Sequence, residues 1–102
     1  VVDKAQAAMR TEGRPVLLHG EPVLGLEAAA ASLITPDDTV LNLASGVYGK
    51  GFGYWARRYS PKLLEIETAY DEAIDPQAVR EMLARHPEVT VVSVCHHDTP
   101  SG

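Results

Sequence analysis

The sequence has little cysteine, little positive charge and no long hydrophobic run. Its single cysteine, Cys95, cannot form a disulfide within the chain, which excludes the small disulfide-rich folds of secreted proteins. Nine Lys and Arg residues stand against 14 Asp and Glu, and the formal net charge is -5. Arg57 and Arg58 are the only adjacent basic pair. Because the chain offers no basic patch to phosphate backbones, we predict that it binds no nucleic acid.

Membrane segments and export signals are also missing. The longest apolar run, Leu26 to Ile34, is interrupted by Glu27 and Ser32, whereas a helix that spans a bilayer needs about 20 apolar residues. The start, Val1 to Lys4, has neither an initiator Met nor a basic-then-apolar signal pattern. These features predict a soluble, cytoplasmic chain that does not associate with membranes. The missing Met, together with the ending at Pro100-Ser101-Gly102, also predicts a piece of a longer protein.

The length of 102 residues, 45% of them hydrophobic, suits one globular unit without a second domain. Apolar spacing and turn residues divide this unit into alternating helices and strands. The predicted elements follow in chain order: a helix over 1–12, a strand at Pro15–Leu18, an Ala-rich helix that ends at Ile34, a strand at 39–43, a glycine-rich loop at 46–53, a helix at 54–59, a strand at 62–68, a helix from Asp75 to His86, and a strand at 89–95.

Four strands that alternate with helices predict a doubly wound α/β fold, in which a mostly parallel sheet carries helices on both faces and forms three layers. The run from Val89 to Cys95 is continuously β-branched and apolar, which is typical of a strand covered on both faces. Ligands of such sheets bind beyond the carboxyl ends of the strands. Functional residues are therefore expected at 19–22, 44–53 and 96–102.

The segment from Gly20 to Gly25 is a glycine turn that leads into a helix, a pattern that normally suggests a phosphate site made of free backbone N–H groups. Here Glu21 places a carboxylate where the anion would lie, Pro22 lacks an N–H, and Val23 has no hydroxyl. One interpretation is structural: Glu21 complements the helix dipole and Pro22 occupies the first turn. The other is functional: this helix N-terminus receives a neutral or cationic group of a ligand. The residues alone leave both open.

The stretch from Ala44 to Gly53 is rich in glycine but has neither the Walker spacing nor the dinucleotide spacing. Tyr48 within it is either a ring that lies over a planar ligand or a packing plug. Lys50 is a candidate for a lysine that bonds to a carbonyl ligand. No neighbour in the sequence would lower its pKa, so a solvated charge in a loop is expected instead.

The run Cys95-His96-His97-Asp98 has the composition of a metal cluster. Consecutive residues of an extended chain point to alternate sides and cannot all reach one ion, so no metal site is predicted. Ser93 or Ser101 beside a histidine would suit a hydrolase, but the sequence contains no G-x-S-x-G elbow.

Three stretches taken together resemble the class V aminotransferases of the fold type I group. They are HGEPVLGLEAA at 19–29, LASGVYGKGFG at 43–53 and HHDTPSG at 96–102. The likeness covers essentially the whole chain. It implies that residues 1–102 are the first part of the large, pyridoxal-binding domain of a protein several times longer.

The resemblance implies binding roles for three residues. Phosphate-dependent members carry Ser-Gly-His or Ser-Gly-Thr at the positions of Glu21, Pro22 and Val23, and these groups hold the cofactor phosphate. A carboxylate would repel a phosphate dianion but would accept a hydrogen bond from the 5'-hydroxymethyl group of unphosphorylated pyridoxal. Tyr48 falls where an aromatic ring stacks on the pyridine, and Thr99 falls where a hydroxyl approaches the phenolic oxygen of that ring.

The implied reaction moves an amino group from pyridoxamine to pyruvate and gives pyridoxal and L-alanine. The vitamin is then a substrate, and no prosthetic group is expected. One alternative is an alanine:glyoxylate or serine:pyruvate type aminotransferase that depends on pyridoxal 5'-phosphate, and another is a catalytically inert structural fragment. The resemblance places the lysine that bonds to the vitamin, the aspartate for its ring nitrogen and the arginine for pyruvate downstream, so no catalytic residue is expected in this chain. It also implies a homo-oligomer, a dimer or tetramer.

Overall fold

The computed structural model describes residues 1–100. Four helices and three strands lie within them, and none of the helices is long and apolar enough to cross a membrane. Their bounds in chain order are Val2–Met9 for α1, Val23–Leu33 for α2, Thr39–Ala44 for β1, Val47–Tyr59 for α3, Lys62–Glu67 for β2, Pro76–Arg85 for α4 and Val91–Val94 for β3.

The strands of the described residues form one parallel sheet in the order β2-β1-β3. Val40 of β1 pairs with Leu63 of β2 on one side and with Val91 of β3 on the other. The chain therefore steps outward from β1 to β2 and then returns across β1 to β3. Because parallel crossovers are almost always right-handed, these opposite directions predict that α3 and α4 lie on opposite faces of the sheet. The predicted α/β fold with a parallel sheet and helices around it is confirmed.

The core surrounds the central strand, because every residue of β1 is buried. On one face, Val40 packs with Ala30 of α2 and Ala56 of α3, and all three are fully buried. On the other face Leu41 is also fully buried, since successive side chains of a strand point to opposite sides. The sheet is thus covered on both sides at its centre, which fits three layers.

The strand predicted at Pro15–Leu18 is wrong. Residues 14–19 adopt no regular structure, and Val16, Leu17 and Leu18 are exposed. A strand needs a neighbour for its backbone N–H and C=O groups, and residues 1–100 supply none to this segment. An apolar run of the right length is therefore insufficient to form a strand here.

The glycine-rich loop predicted at 46–53 is also wrong, because α3 begins at Val47 and includes the rest of that stretch. A glycine inside a helix costs about 1 kcal/mol relative to alanine. Gly49 and Gly53 are both buried, and a Cβ at Gly49 would lie 3.5 Å from the carbonyl oxygen of Leu43 in β1. The close approach of helix to sheet therefore outweighs the low helix propensity of glycine.

The prediction that the last strand is covered on both faces is wrong as well. Strand β3 extends only over Val91–Val94, and within it Val92 and Val94 are 46% and 61% exposed. Val91 and Ser93, which alternate with them, are half-buried. One face of β3 is therefore left uncovered by the described part of the chain.

Candidate functional site

Three segments meet at the carboxyl edge of the sheet. The first turn of α3 follows β1, residues 95–100 follow β3, and the turn before α2 lies beside both. Together they enclose a cavity of about 250 Å³. All three predicted binding residues are among those that line it: Glu21, Pro22, Val23, Leu26, Tyr48, Cys95, His97 and Thr99. The roles assigned to these side chains by resemblance stay predictions.

Glu21 lies in the turn that begins α2. The N–H of Leu24 donates to the Glu21 carbonyl oxygen at 2.9 Å, and the N–H of Gly25 donates to that of Pro22 at the same distance. Pro22 is the N-cap residue and already has helical backbone angles, φ −56° and ψ −29°, which agrees with its predicted place at the first turn, and no side chain caps α2. The exposed Glu21 carboxylate makes no hydrogen bond or ion pair within residues 1–100. It is therefore available to a ligand in the cavity.

Tyr48 is the second residue of α3 and is 42% exposed. Residues 1–100 therefore do not bury this side chain, and its role stays a prediction. The residue also borders a larger cavity of about 350 Å³, whose walls are mostly apolar side chains of α2 and β3. An aromatic surface is thus accessible where the two cavities adjoin.

Thr99 follows β3, lines the smaller cavity and is exposed. Within the described range its hydroxyl has no hydrogen-bond partner, so the hydroxyl is open to a ligand. The last two residues of the third motif, Ser101 and Gly102, lie outside the described residues.

Asp98 is the residue of this site that the sequence analysis missed. It is 4% exposed, and its Oδ2 accepts hydrogen bonds from the N–H groups of Tyr48 at 2.7 Å and Gly49 at 3.2 Å. Helix α3 begins after Gly46, which has no side chain to serve as a cap. A helix that begins after glycine lacks the usual Ser, Thr, Asp or Asn cap. That missing cap becomes a signal only once α3 is known to begin after Gly46, whereas the sequence predicts a loop at 46–53.

The metal hypothesis for residues 95–98 finds no geometric basis. Asp98 is directed to the start of α3, and the Cys95 thiol donates to the carbonyl oxygen of His97 at 3.3 Å. Within residues 1–100, no group of three His, Cys, Asp or Glu side chains could hold a metal ion.

Lys50 lies on α3 and forms an ion pair with Glu67, so the solvated loop predicted for it is wrong. The hydrogen bond to the Glu67 carboxylate raises the pKa of Lys50 above its usual value of 10.5. A lysine that bonds to a carbonyl carbon must first lose its proton. This pairing therefore opposes a covalent role and agrees with a charged surface residue.

A buried polar network holds the first turns of α3 against the sheet. Asn42 is 1% exposed, and its amide nitrogen donates to the Gly49 carbonyl oxygen at 3.0 Å and to Glu65 Oε2 at 2.9 Å. Its amide oxygen accepts from the Ser93 hydroxyl at 2.7 Å. One side chain thus connects all three strands to the helix that carries Tyr48.

Comparison with known proteins finds transaminases, although no protein-family model matches the chain. The chain is 82% identical over 102 residues to the pyridoxamine–pyruvate transaminase of Mesorhizobium japonicum, which covers 100% of this chain and 26% of that protein. It is 33% identical over 88 residues to the 2-aminoethylphosphonate–pyruvate transaminase of Lactiplantibacillus plantarum, which covers 85% of this chain and 24% of that protein. An uncharacterized aminotransferase of Methanocaldococcus jannaschii is 25% identical over 101 residues, which are 99% of this chain and 26% of that protein.

A solved structure shows the same likeness. The crystal structure of pyridoxamine–pyruvate aminotransferase from Mesorhizobium loti matches with a TM-score of 0.94 and 82% identity, over 99% of this chain and 26% of that one. The resemblance to aminotransferases predicted from the three motifs is thereby confirmed. The chain spans about a quarter of the length of the curated relatives it matches.

Proposed function

We propose that these residues are a segment of a transaminase that moves an amino group from pyridoxamine to pyruvate and gives pyridoxal and L-alanine. The observation that carries the proposal is the unpaired carboxylate of Glu21, at a helix N-terminus that borders the same cavity as Tyr48 and Thr99. The 82% identity to a relative named for these two substrates supports it.

The cavity fits an unphosphorylated B6 vitamer better than a phosphorylated one. A phosphate beside Glu21 would face a like charge, and Pro22 has no N–H to donate to it. The neutral 5'-hydroxymethyl group of pyridoxal or pyridoxamine instead donates a hydrogen bond to the carboxylate. This chemistry favours the vitamin as a substrate over pyridoxal 5'-phosphate as a resident cofactor.

The remaining lining residues suit the ring of the vitamin. The accessible aromatic side chain of Tyr48 stacks on a planar pyridine, and the Thr99 hydroxyl donates to or accepts from the phenolic oxygen. When bound, the pyridine ring supplies an electron sink for the chemistry at the amino group. The lining of the 250 Å³ cavity includes no lysine, so the residues of this segment bind and orient the vitamin, and the covalent step belongs to the rest of the protein.

We also infer that the whole protein is a cytoplasmic homo-oligomer, a dimer or tetramer. Support comes from the exposed apolar side chains of Val16, Leu17 and Leu18 and of the β3 residues Val92 and Val94. Such a surface favours burial against further chain or against a second subunit.

The test is Glu21→Ser in the whole protein, assayed by steady-state kinetics and equilibrium titration with pyridoxamine and with its 5'-phosphate. Removing the carboxylate abolishes a repulsion of about 1 kcal/mol at 4 Å in bulk water and about 4 kcal/mol at an effective dielectric constant of about 20, and this acts only on the phosphorylated ligand. Loss of the hydrogen bond between the Glu21 carboxylate and the 5'-hydroxymethyl group weakens binding of the vitamin by about 1.5 to 3 kcal/mol. Because Pro22 still has no N–H and Val23 no hydroxyl, we expect only a partial gain of phosphate binding.

The matched control is Glu27→Gln, which removes one negative charge from α2 outside the cavity, where Glu27 faces Arg58 at 3.6 Å. It is expected to leave the ratio of the two affinities at the wild-type value. An unchanged ratio in the Glu21→Ser protein would contradict the assignment of Glu21 as the group that selects the vitamin.

A further inference from the structure

Asp98 joins the two sides of the candidate site. Its carboxylate accepts hydrogen bonds from the N–H groups of Tyr48 and Gly49 on α3. Thr99 is the next residue in the chain. Tyr48 and Thr99 both line the 250 Å³ cavity, whereas Asp98 does not. The two hydrogen bonds therefore connect the element that presents the aromatic ring to the loop that presents the hydroxyl.

The environment of Asp98 differs from that of an ordinary helix cap in this chain. Asp75 caps its own helix, α4, from an exposed position, where its Oδ1 accepts from the N–H of Gln77 at 2.8 Å. Asp98 instead caps α3, whose residue Tyr48 lies 50 positions earlier in the sequence. Asp98 is also buried, with only 4% of its surface exposed. Its second oxygen, Oδ1, is buried and has no hydrogen-bond partner within residues 1–100. Burial of a carboxylate in this way costs free energy, which the two charge-assisted bonds at a helix N-terminus offset.

We propose that Asp98 is a positioning residue, which holds Thr99 at the distance from Tyr48 that the pyridine ring of the vitamin requires. This inference rests on the proposed function, because it assigns the ligand to the same cavity. Asp98 acts through the two residues that it connects and does not touch the ligand. Its loss therefore weakens binding of the ring even though every lining side chain is still present.

The experiment compares Asp98→Ala, Asp98→Asn and the matched control Asp75→Ala in the whole protein. Two quantities are measured for each: the midpoint of thermal unfolding and the Kd for pyridoxal from absorbance titration. Both alanine variants remove a helix cap and are expected to unfold at a lower temperature than the wild type. Only Asp98→Ala is expected to raise the Kd for pyridoxal, by about 10-fold, whereas Asp75→Ala should stay within about 2-fold.

Asp98→Asn provides the rescue, because its amide oxygen accepts the same two hydrogen bonds without the charge, and neutral bonds are about half as strong. We expect a Kd raised by about 3-fold, between the wild type and the alanine variant. If Asp98→Ala does not fold, the raised Kd of Asp98→Asn is the measurement that tests the inference. Steady-state kinetics provides a third readout: in both Asp98 variants the KM for pyridoxamine should rise more than the KM for pyruvate.

A purely structural cap would give a different result: Asp98→Ala would lose thermal stability as Asp75→Ala does, and both would bind pyridoxal as tightly as the wild type. That outcome, or an unchanged Kd in a folded Asp98→Asn protein, would overturn the inference and leave the proposed function standing. A wild-type protein that binds neither pyridoxal nor pyridoxamine would instead refute the proposed function, and the inference with it.

Discussion

At the scale of single residues, the contact between α3 and the sheet depends on Gly53. A Cβ there would lie 2.8 Å from Glu65 Oε2 and 3.1 Å from the amide nitrogen of Asn42. The Glu65 side chain is flexible, but its movement would break the 2.9 Å hydrogen bond that it accepts from Asn42. The absence of a side chain at this position is therefore a requirement of the buried network.

Gly53→Ala is expected to lower the free energy of unfolding by about 1 to 3 kcal/mol, since overpacking outweighs the gain in helix propensity. The control is Gly51→Ala on the same helix, where a Cβ would meet no atom within 4 Å. That variant should gain up to about 1 kcal/mol. Urea unfolding of both variants in the whole protein measures the difference, and a shift of both in the same direction would contradict this account of Gly53.

At the scale of elements, Asp38 ties the start of β1 to the segment that enters β3. Its carboxylate accepts hydrogen bonds from the Thr90 hydroxyl at 2.7 Å, from the Thr35 N–H at 2.7 Å and from the Thr35 hydroxyl at 2.8 Å. The bond from Thr90 and those from Thr35 lower the pKa of Asp38 below its usual value of 3.8. Because the folded-state pKa is the lower one, the unfolded state binds the proton more readily, and the contribution of Asp38 to stability is fully present above the unfolded pKa.

Asp38→Asn is therefore expected to destabilise the protein at about pH 7, and the difference from the wild type should shrink as the pH falls below about 4 and through the folded-state pKa. Urea unfolding of the whole protein and of its Asp38→Asn variant at a series of pH values measures this difference. Asp37→Asn is the neighbouring control, since the Asp37 carboxylate makes no hydrogen bond within residues 1–100. A loss of stability in Asp38→Asn that is the same at every pH would count against the charged acceptor.

At the scale of the whole molecule, the described residues are less compact than an independent domain of this size. Their radius of gyration is 14.8 Å, whereas about 13 Å is typical of a compact domain of about 100 residues. The extended segment at 14–19 and the uncovered face of β3 contribute exposed apolar side chains. Strand β3 is also an edge strand, with one row of backbone groups unpaired within the described sheet.

The isolated 102-residue chain is expected to associate or to unfold without a sharp transition, because its apolar edge and surface favour contact with other chains. Sedimentation velocity over a range of concentrations, with scanning calorimetry of the same samples, tests this expectation. A monomer at all concentrations that also shows a sharp two-state transition would mean that the exposed surface does not drive association.

Local sequence patterns were sufficient to predict the α/β class and the region of the candidate site. Periodicity and turn signals are local, so the Asp75-Pro76 start of α4 and the strands at 39–44 and 62–67 could be predicted within a few residues. The rule that ligands bind at the carboxyl ends of parallel strands placed Tyr48 and Thr99, which follow β1 and β3, at one edge. Glu21 was expected there because it follows the strand predicted at 15–18, which does not form; the turn before α2 brings Glu21 beside the other two. Their presence around one cavity agrees with that prediction, and their roles await the experiments above.

Other features depend on partners that are far away in the sequence, and they become visible only in the folded chain. The apolar run at 15–18 forms no strand because no neighbouring strand reaches it within residues 1–100. The stretch after Gly46 is helical because its glycines allow close packing on β1. Asp98 is a buried cap because the fold brings it to a helix that begins 51 residues earlier, at Val47. Local sequence patterns cannot predict such contacts, because the free energy of a contact arises only when the distant segments meet.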